Sequence, residues 1–127
     1  MGTHFIFIHG FLGNSSMWNF ITSNGFRDNY TQNVQIAGHG NTRSVSESSI
    51  THFAEDILLQ LNIPDQDQIV WIGHSMGGYI ALELAEKLHN KTKGIVLFHS
   101  TLSADSELKK QDRNRAIDAA REHKNLY

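Results

Sequence analysis

Four short, mostly apolar runs are spaced along the first hundred residues of the chain. They are residues 4–9 (HFIFIH), 33–37 (NVQIA), 68–73 (QIVWIG) and 94–99 (GIVLFH). β-Branched and aromatic residues dominate them, and turn-forming glycines follow or end the first three, which is the pattern of short buried strands. We therefore predict four strands of a sheet that is covered on both faces.

Helical periodicity appears between these runs. Residues 48–62 place apolar side chains three and four positions apart, which predicts an amphipathic helix that ends before Pro64. Residues 76–88 predict a second helix that is apolar over much of its surface, and residues 15–23 predict a short helix capped by serines. Strands that alternate with helices predict an α/β fold with a parallel sheet and helices on both faces.

Composition narrows the class of protein. The chain has 127 residues, 39% of them hydrophobic, a formal net charge of −2 and no cysteine. This length supports one domain with a core, and the lack of cysteine excludes disulfides, zinc–thiolate sites and a thiol nucleophile. Neither a signal peptide nor the ~20-residue apolar stretch of a membrane span is visible. We expect a soluble, cytoplasmic protein without a nucleic-acid or membrane partner.

Charge divides the chain into two parts. Residues 103–127 carry eleven charged side chains of both signs and only a thin apolar stripe. We expect residues 1–102 to form the folded core and residues 103–127 to form a charged helical segment. The histidines of the chain show no metal-ligand spacing, so no metal site is expected.

A Gly-x-Ser-x-Gly motif, residues 73–77 (GHSMG), lies between the third predicted strand and the helix that follows it. This is the context that a serine nucleophile requires, because a sharp strand-to-helix turn exposes the serine side chain. Glycine is needed at positions 73 and 77, because a side chain there would collide with the turn. The start of the helix would also favour negative charge at Ser75. The alternative is a tight glycine-rich turn with an incidental serine.

A second glycine-rich turn, residues 9–13 (HGFLG), follows the first predicted strand. Gly10 allows this turn to approach the Ser75 turn closely. The backbone N–H groups of Phe11 and Met76 would then converge as an oxyanion hole. The alternative is a turn that only reverses the chain.

Taken together, these motifs resemble the N-terminal part of an α/β-hydrolase. The resemblance rests on HGFLG, AGHGNT, GHSMGG and VLFHST, which follow or end the four predicted strands in the family's order. It implies that the strands lie in the order second, first, third, fourth. It also implies a serine hydrolase that needs no cofactor and acts on a small carboxylic ester or thioester through an acyl-enzyme at Ser75. C–C hydrolases and cofactor-free peroxidases of the family share these motifs and are the alternatives. His9 and His74 would have structural or cleft-lining positions.

The resemblance also implies what is missing. The acid and the histidine of the family's triad usually follow later strands, whereas this chain ends at Tyr127, just beyond the family's sixth strand. We expect a truncated core whose acid and histidine come from a missing C-terminal half or a second chain. Within the chain, His99 is the best candidate base, but a place in the cleft wall is the favoured interpretation of it. Asp105 lies where a minority of relatives carry the acid, and residues 103–127 resemble the start of a cap.

Three functions therefore stay open. The first is the serine hydrolase, and the second is a catalytically incompetent fragment that binds an acyl ligand or a partner. The third is a flavodoxin-like module that binds an anion at a helix N-terminus, although it lacks a phosphate-loop lysine and a dinucleotide fingerprint. Because residues 94–99 would form an uncovered apolar edge, we also expect pairing with another chain or a homo-oligomer.

Overall fold

A parallel sheet organises the chain. The structure, a computed structural model, describes residues 2–39 and 49–99 together with Gln111 and Arg115. Its strands are β1 Thr3–Ile8, β2 Tyr30–Val34, β3 Gln68–His74 and β4 Thr92–Phe98. They lie in the order β2-β1-β3-β4 and every neighbouring pair is parallel. This confirms the predicted α/β class and the strand order that the family resemblance implied.

Helices cover both faces of the sheet. They are a 3-10 helix Ser15–Trp18 and the α-helices α1 Asn19–Asn24, α2 Ile50–Gln60 and α3 Met76–Lys87. Alternate side chains of β1 point to opposite faces. Ile6 and Ile8 join the larger apolar cluster with α2 and α3, whereas Phe7 packs against Trp18 and Ile72 on the other face. The sheet is therefore the middle layer, as predicted.

The bounds predicted for the second strand, residues 33–37, are wrong, because β2 runs from Tyr30 to Val34. Ile36 is fully buried, which accounts for the apolar pattern, but its N–H donates to His9 Nε2 at 3.0 Å instead of to β1. Its carbonyl accepts from the His39 N–H at 3.1 Å in a turn. The apolar part of this segment is therefore a buried loop, and β1 pairs with the more polar residues that precede it.

The helix predicted at residues 15–23 is wrong in two respects. Its cap is Asn14, not a serine, because the Asn14 side chain accepts from the Ser16 N–H at 2.9 Å. The segment is also divided at Trp18 into the 3-10 helix and α1. The predicted segments 48–62, 68–73, 76–88 and 94–99 are confirmed as α2, β3, α3 and β4, with ends that differ by two residues or fewer.

β4 is the edge strand of the described sheet. Ile95, Val96 and Phe98 are 39%, 47% and 48% exposed, unlike the buried residues of β1 and β3. Residues 103–127 lie outside the described residues except for Gln111 and Arg115, which are helical and exposed. In the part of the chain that the structure describes, no helix has both the length and the apolar character needed to cross a membrane.

Candidate active site

Ser75 occupies a sharp turn between β3 and α3. Its backbone has φ 54° and ψ −119°, in a region that side-chain-bearing residues rarely adopt. Two hydrogen bonds hold this turn: the Ser75 N–H donates to Phe98 O at 3.1 Å, and the Gly78 N–H donates to Ser75 O at 2.9 Å. The end of β4 and the first turn of α3 therefore fix the conformation that the sequence motif predicts.

The glycines on either side of this turn are required by close backbone contacts. A Cβ at Gly73 would lie 2.6 Å from Gly78 Cα, and one at Gly77 would lie 2.5 Å from His9 O and closer still to Ile8 O. Real Cβ atoms do not approach backbone atoms so closely. Gly73 thus lets the start of α3 fold closely back on the end of β3, and Gly77 lets it pack directly against the end of β1.

Gly10 brings the second glycine-rich turn against the first. A Cβ at Gly10 would lie 2.9 Å from His74 Nδ1 and 3.1 Å from Ser75 Cβ. The turn closes with a hydrogen bond of 3.1 Å from the Gly13 N–H to Gly10 O, and Leu12 takes a φ of 61° within it. The structure therefore places the two turns side by side at the carboxyl edge of the sheet.

Two backbone donors stand at this junction. Phe11 directly follows Gly10, and Met76 directly follows Ser75 as the first residue of α3. Neither N–H donates a hydrogen bond to another residue in the described ranges. Unsatisfied donors at the start of a helix and at a glycine turn are the groups from which proteins build anion sites.

His9 is buried rather than cleft-lining, and both ring nitrogens have partners. Its Nε2 accepts from the Ile36 N–H at 3.0 Å and its Nδ1 bonds Gly10 O at 2.9 Å. Burial lowers the pKa of His9, the bond to Gly10 opposes this, and the nearby His39 and His74 lower the pKa further. His9 is therefore a neutral structural residue of the turn, one of the two positions that the resemblance implied.

His74 and His99 lie in an aromatic cluster at the same edge. The His74 ring centroid is 5.9 Å from that of Phe98, 6.0 Å from that of His99 and 6.5 Å from that of Trp18. Burial, and next the His99 charge, lower the pKa of His74. His99 is exposed, with φ 50°, and its ring packs on Phe98 at 4.6 Å. Asp105 lies outside the described residues.

Sequence reasoning did not single out Gln35 or Trp18. Gln35 Nε2 lies 3.0 Å from His9 Nε2, across 26 positions of the chain, and no local pattern marks that contact. Trp18 is 2% exposed and packs on Phe7 at a centroid distance of 5.2 Å. Its segment predicts a helix, but nothing in the local sequence indicates that the Trp18 ring reaches His74 beside the Ser75 turn.

The lowered pKa of the buried His9 predicts how stability depends on pH. The pKa of His9 is lowered from 6.5, so below that pH the unfolded chain binds a proton that folded His9 does not yet take. Above pH 6.5 the free energy of unfolding should keep the value it has at neutral pH. As the pH falls below 6.5, it should decrease by at most about 1.4 kcal/mol per pH unit for each histidine whose pKa is lowered by folding. Urea denaturation between pH 8 and pH 5 measures this.

The control for that series is His89, which is exposed. The His9→Asn variant should lose part of the decrease in stability between neutral and acidic pH, whereas His89→Asn should retain all of it. An unchanged slope in His9→Asn would contradict the assignment of the slope to His9.

Comparison with known proteins identifies the class. The profile of the alpha/beta hydrolase fold matches residues 3–121, and the chain belongs to this family. It is 31% identical over 111 residues to a Mycoplasma pneumoniae protein described as an esterase/lipase, covering 74% of this chain and 36% of that protein. It is 25% identical over 96 residues to the pimeloyl-[acyl-carrier protein] methyl ester esterase of Yersinia enterocolitica, covering 76% of this chain and 36% of that enzyme.

A solved structure agrees with the family. A thermophilic esterase from Thermogutta terrifontis superposes with a TM-score of 0.79 at 24% identity, over 95% of this chain and 45% of the esterase. The chain therefore spans about half of that structure and about a third of each of the two relatives named above. Family membership replaces the flavodoxin-like alternative, and the relatives support a hydrolase of the esterase type.

Proposed function

We propose that this chain carries the nucleophile and the oxyanion donors of a serine ester hydrolase. The observation that carries the proposal is Ser75 at φ 54° on the strand-to-helix turn, with the Gly10–Phe11 turn packed against it. A turn of this kind holds a hydroxyl where a substrate carbonyl can approach, and Ser75 is half-buried. The esterase relatives support this chemistry.

The reaction would proceed through an acyl-enzyme. Ser75 Oγ attacks the ester carbonyl while a base takes its proton, and the N–H groups of Phe11 and Met76 hold the negative oxygen of the tetrahedral intermediate. Collapse of the intermediate expels the alcohol and leaves an ester on Ser75, which water then hydrolyses. Each oxyanion donor typically contributes about 100- to 1000-fold to the rate.

The base and its carboxylate partner would come from another segment or a second polypeptide. Within the described residues His99 is the in-chain candidate base, and its ring packs against Phe98 and His74 in the aromatic cluster. That position fits the wall of the cleft. We use the term complete enzyme for this chain together with the polypeptide that supplies the acid and the histidine.

The partner would dock along β4. Ile95, Val96 and Phe98 are partly exposed on this edge strand, and edge strands present unpaired backbone groups. The occupant we propose is a polypeptide that carries the remaining strands of the sheet, because the chain covers only 45% of the superposed esterase. A homo-oligomer through the same edge is the competing outcome, and restored turnover on adding the first partner distinguishes the two.

The substrate would be a small carboxylic ester or thioester. The rings of His74 and Phe98 form an aromatic wall beside the Ser75 turn, and the buried Trp18 ring packs behind them. Phe98 is 48% exposed, so part of that wall is open to a ligand. An apolar acyl group therefore fits this edge of the sheet better than a charged one.

A fluorophosphonate probe tests this proposal, because it reacts with activated serine nucleophiles. The complete enzyme should be labelled, the Ser75→Ala variant should not, and Ser23→Ala, which changes an exposed serine of α1, should label like the wild type. Labelling that persists in Ser75→Ala would place the nucleophile elsewhere and defeat the proposal.

A further inference from the structure

A chain of hydrogen bonds runs from the start of the 3-10 helix to the turn after β1. The Ser15 N–H donates to Gln35 Oε1 at 3.1 Å, and Gln35 Nε2 lies 3.0 Å from His9 Nε2. The Ile36 N–H donates to the same His9 nitrogen at 3.0 Å, and His9 Nδ1 is 2.9 Å from Gly10 O. His9 thus joins the loop that follows β2 to a carbonyl of the glycine turn.

The partners define the protonation state of His9. A backbone N–H can only donate, so Nε2 facing the Ile36 N–H must present its lone pair. The Ser15 N–H donates to one end of the Gln35 amide, which must therefore be its oxygen. The other end, the NH₂ group, faces His9 Nε2 as a second donor. The proton of the neutral ring therefore lies on Nδ1, where it donates to Gly10 O. Burial of the ring supports this neutral form.

The bond to Gly10 O also determines the direction of the next N–H. The Gly10–Phe11 peptide is trans and planar, so its C=O and its N–H point in opposite directions within one plane. Two donors hold the carbonyl, His9 Nδ1 at 2.9 Å and the Gly13 N–H at 3.1 Å. Any rotation of the plane that redirects the Phe11 N–H must weaken both bonds.

We propose that His9, as its Nδ1–H tautomer backed by Gln35 and Ile36, is a positioning residue that fixes the direction of the Phe11 N–H. This inference rests on the proposed function, because it gives that N–H its role as an oxyanion donor. His9 itself does not touch substrate. It acts through the Gly10–Phe11 peptide, which is held in the orientation that the transition state needs before substrate arrives.

Nuclear magnetic resonance of the unaltered chain gives the first test, because it needs neither a variant nor activity. Long-range proton–nitrogen correlation of the His9 ring should show a protonated Nδ1 and an unprotonated Nε2 at pH 7.5. An Nε2–H tautomer would leave Gly10 O without this donor and would overturn the proposal.

Two substitutions separate the two ends of the ring. The amide nitrogen of His9→Asn can stand near the Nδ1 position and donate to Gly10 O, whereas His9→Gln reaches the Nε2 position and leaves Gly10 O without that donor. Both variants remove ring packing, so their stabilities should fall similarly. The amide resonances of Phe11 and Gly13 should stay close to wild type in His9→Asn and shift in His9→Gln. Equal shifts in both variants would overturn the proposal.

The kcat and KM of the complete enzyme separate positioning from packing, because loss of ring packing alone would affect both variants alike. His9→Gln should lower kcat by up to about 100-fold with little change in KM, because the oxyanion exists only in the transition state. His9→Asn should recover most of that loss, and His89→Asn should match the wild type.

Failure of the two proposals can be told apart. If Ser75→Ala leaves turnover intact while the amide shifts follow the bond to Gly10, the proposed function fails and the positioning by His9 stands. If Ser75→Ala abolishes turnover but His9→Gln and His9→Asn lower kcat equally, the function stands and the positioning role is refuted.

Discussion

Replacing Ser75 by alanine should reduce kcat of the complete enzyme by about a millionfold, the loss seen when a serine nucleophile is removed from an intact triad. The reason is that the nucleophile and its base act as a unit, so removal of the hydroxyl leaves the base without a proton to take. What remains is the contribution of the oxyanion donors and of substrate binding. Hydrolysis of p-nitrophenyl acetate under saturating conditions measures the effect.

The control for this prediction is Ser23→Ala, which leaves the turn between β3 and α3 untouched and should keep wild-type kcat. Circular dichroism and a denaturation midpoint should show that Ser75→Ala folds as well as the wild type. A folded Ser75→Ala variant that keeps most of the wild-type kcat would contradict the assignment of the nucleophile.

Gly77→Ala should lower the free energy of unfolding by about 3 kcal/mol or more, at the upper end of the cost of overpacking. The added methyl would lie 2.5 Å from His9 O and nearer still to Ile8 O, both backbone atoms that cannot rotate away. Relief requires α3 to move away from β1, which would also separate Met76 from the Gly10 turn. Urea denaturation reports the loss as a lower midpoint.

Gly94→Ala is the matched control, because it adds the same methyl to a glycine of β4. The nearest atoms to a Cβ at Gly94 are the Val70 methyls at 4.0 Å, which is ordinary contact. The midpoint of Gly94→Ala should stay close to wild type, within the range of neutral surface substitutions of about 0.5 kcal/mol. Equal midpoints for the two variants would contradict the close packing of α3 on β1.

The turn at Ser75 could be predicted from sequence because its signals are local. Gly73, Ser75 and Gly77 stand at fixed spacing between a β-rich run and a helical run, and the φ of 54° at Ser75 is the conformation this spacing requires. The α2 helix could be predicted for a similar reason, since its apolar periodicity covers the whole element. The strand order, in contrast, came from the resemblance to a family and not from any pattern of apolar residues.

The errors in prediction have physical causes that act over long range. Ile36 has the apolar character of a strand residue, yet its N–H donates a hydrogen bond to His9, which is 27 positions away. Gln35 contacts the same ring across 26 positions of the chain, and a contact over that separation cannot be predicted from local sequence. The proposed oxyanion donors are backbone groups, and a sequence indicates only the glycine turns that allow them to approach.

Ester hydrolysis by the 127-residue chain, alone and after addition of a polypeptide carrying the rest of the family's fold, tests the central claim most directly. Alone, the chain should hydrolyse p-nitrophenyl acetate barely above the buffer rate, because the loss of triad members costs about a millionfold in turnover. Ser75→Ala should change that rate little, and the added polypeptide should restore turnover that depends on Ser75. Full, Ser75-dependent turnover by the chain alone would contradict the claim and make His99 and Asp105 the first residues to substitute.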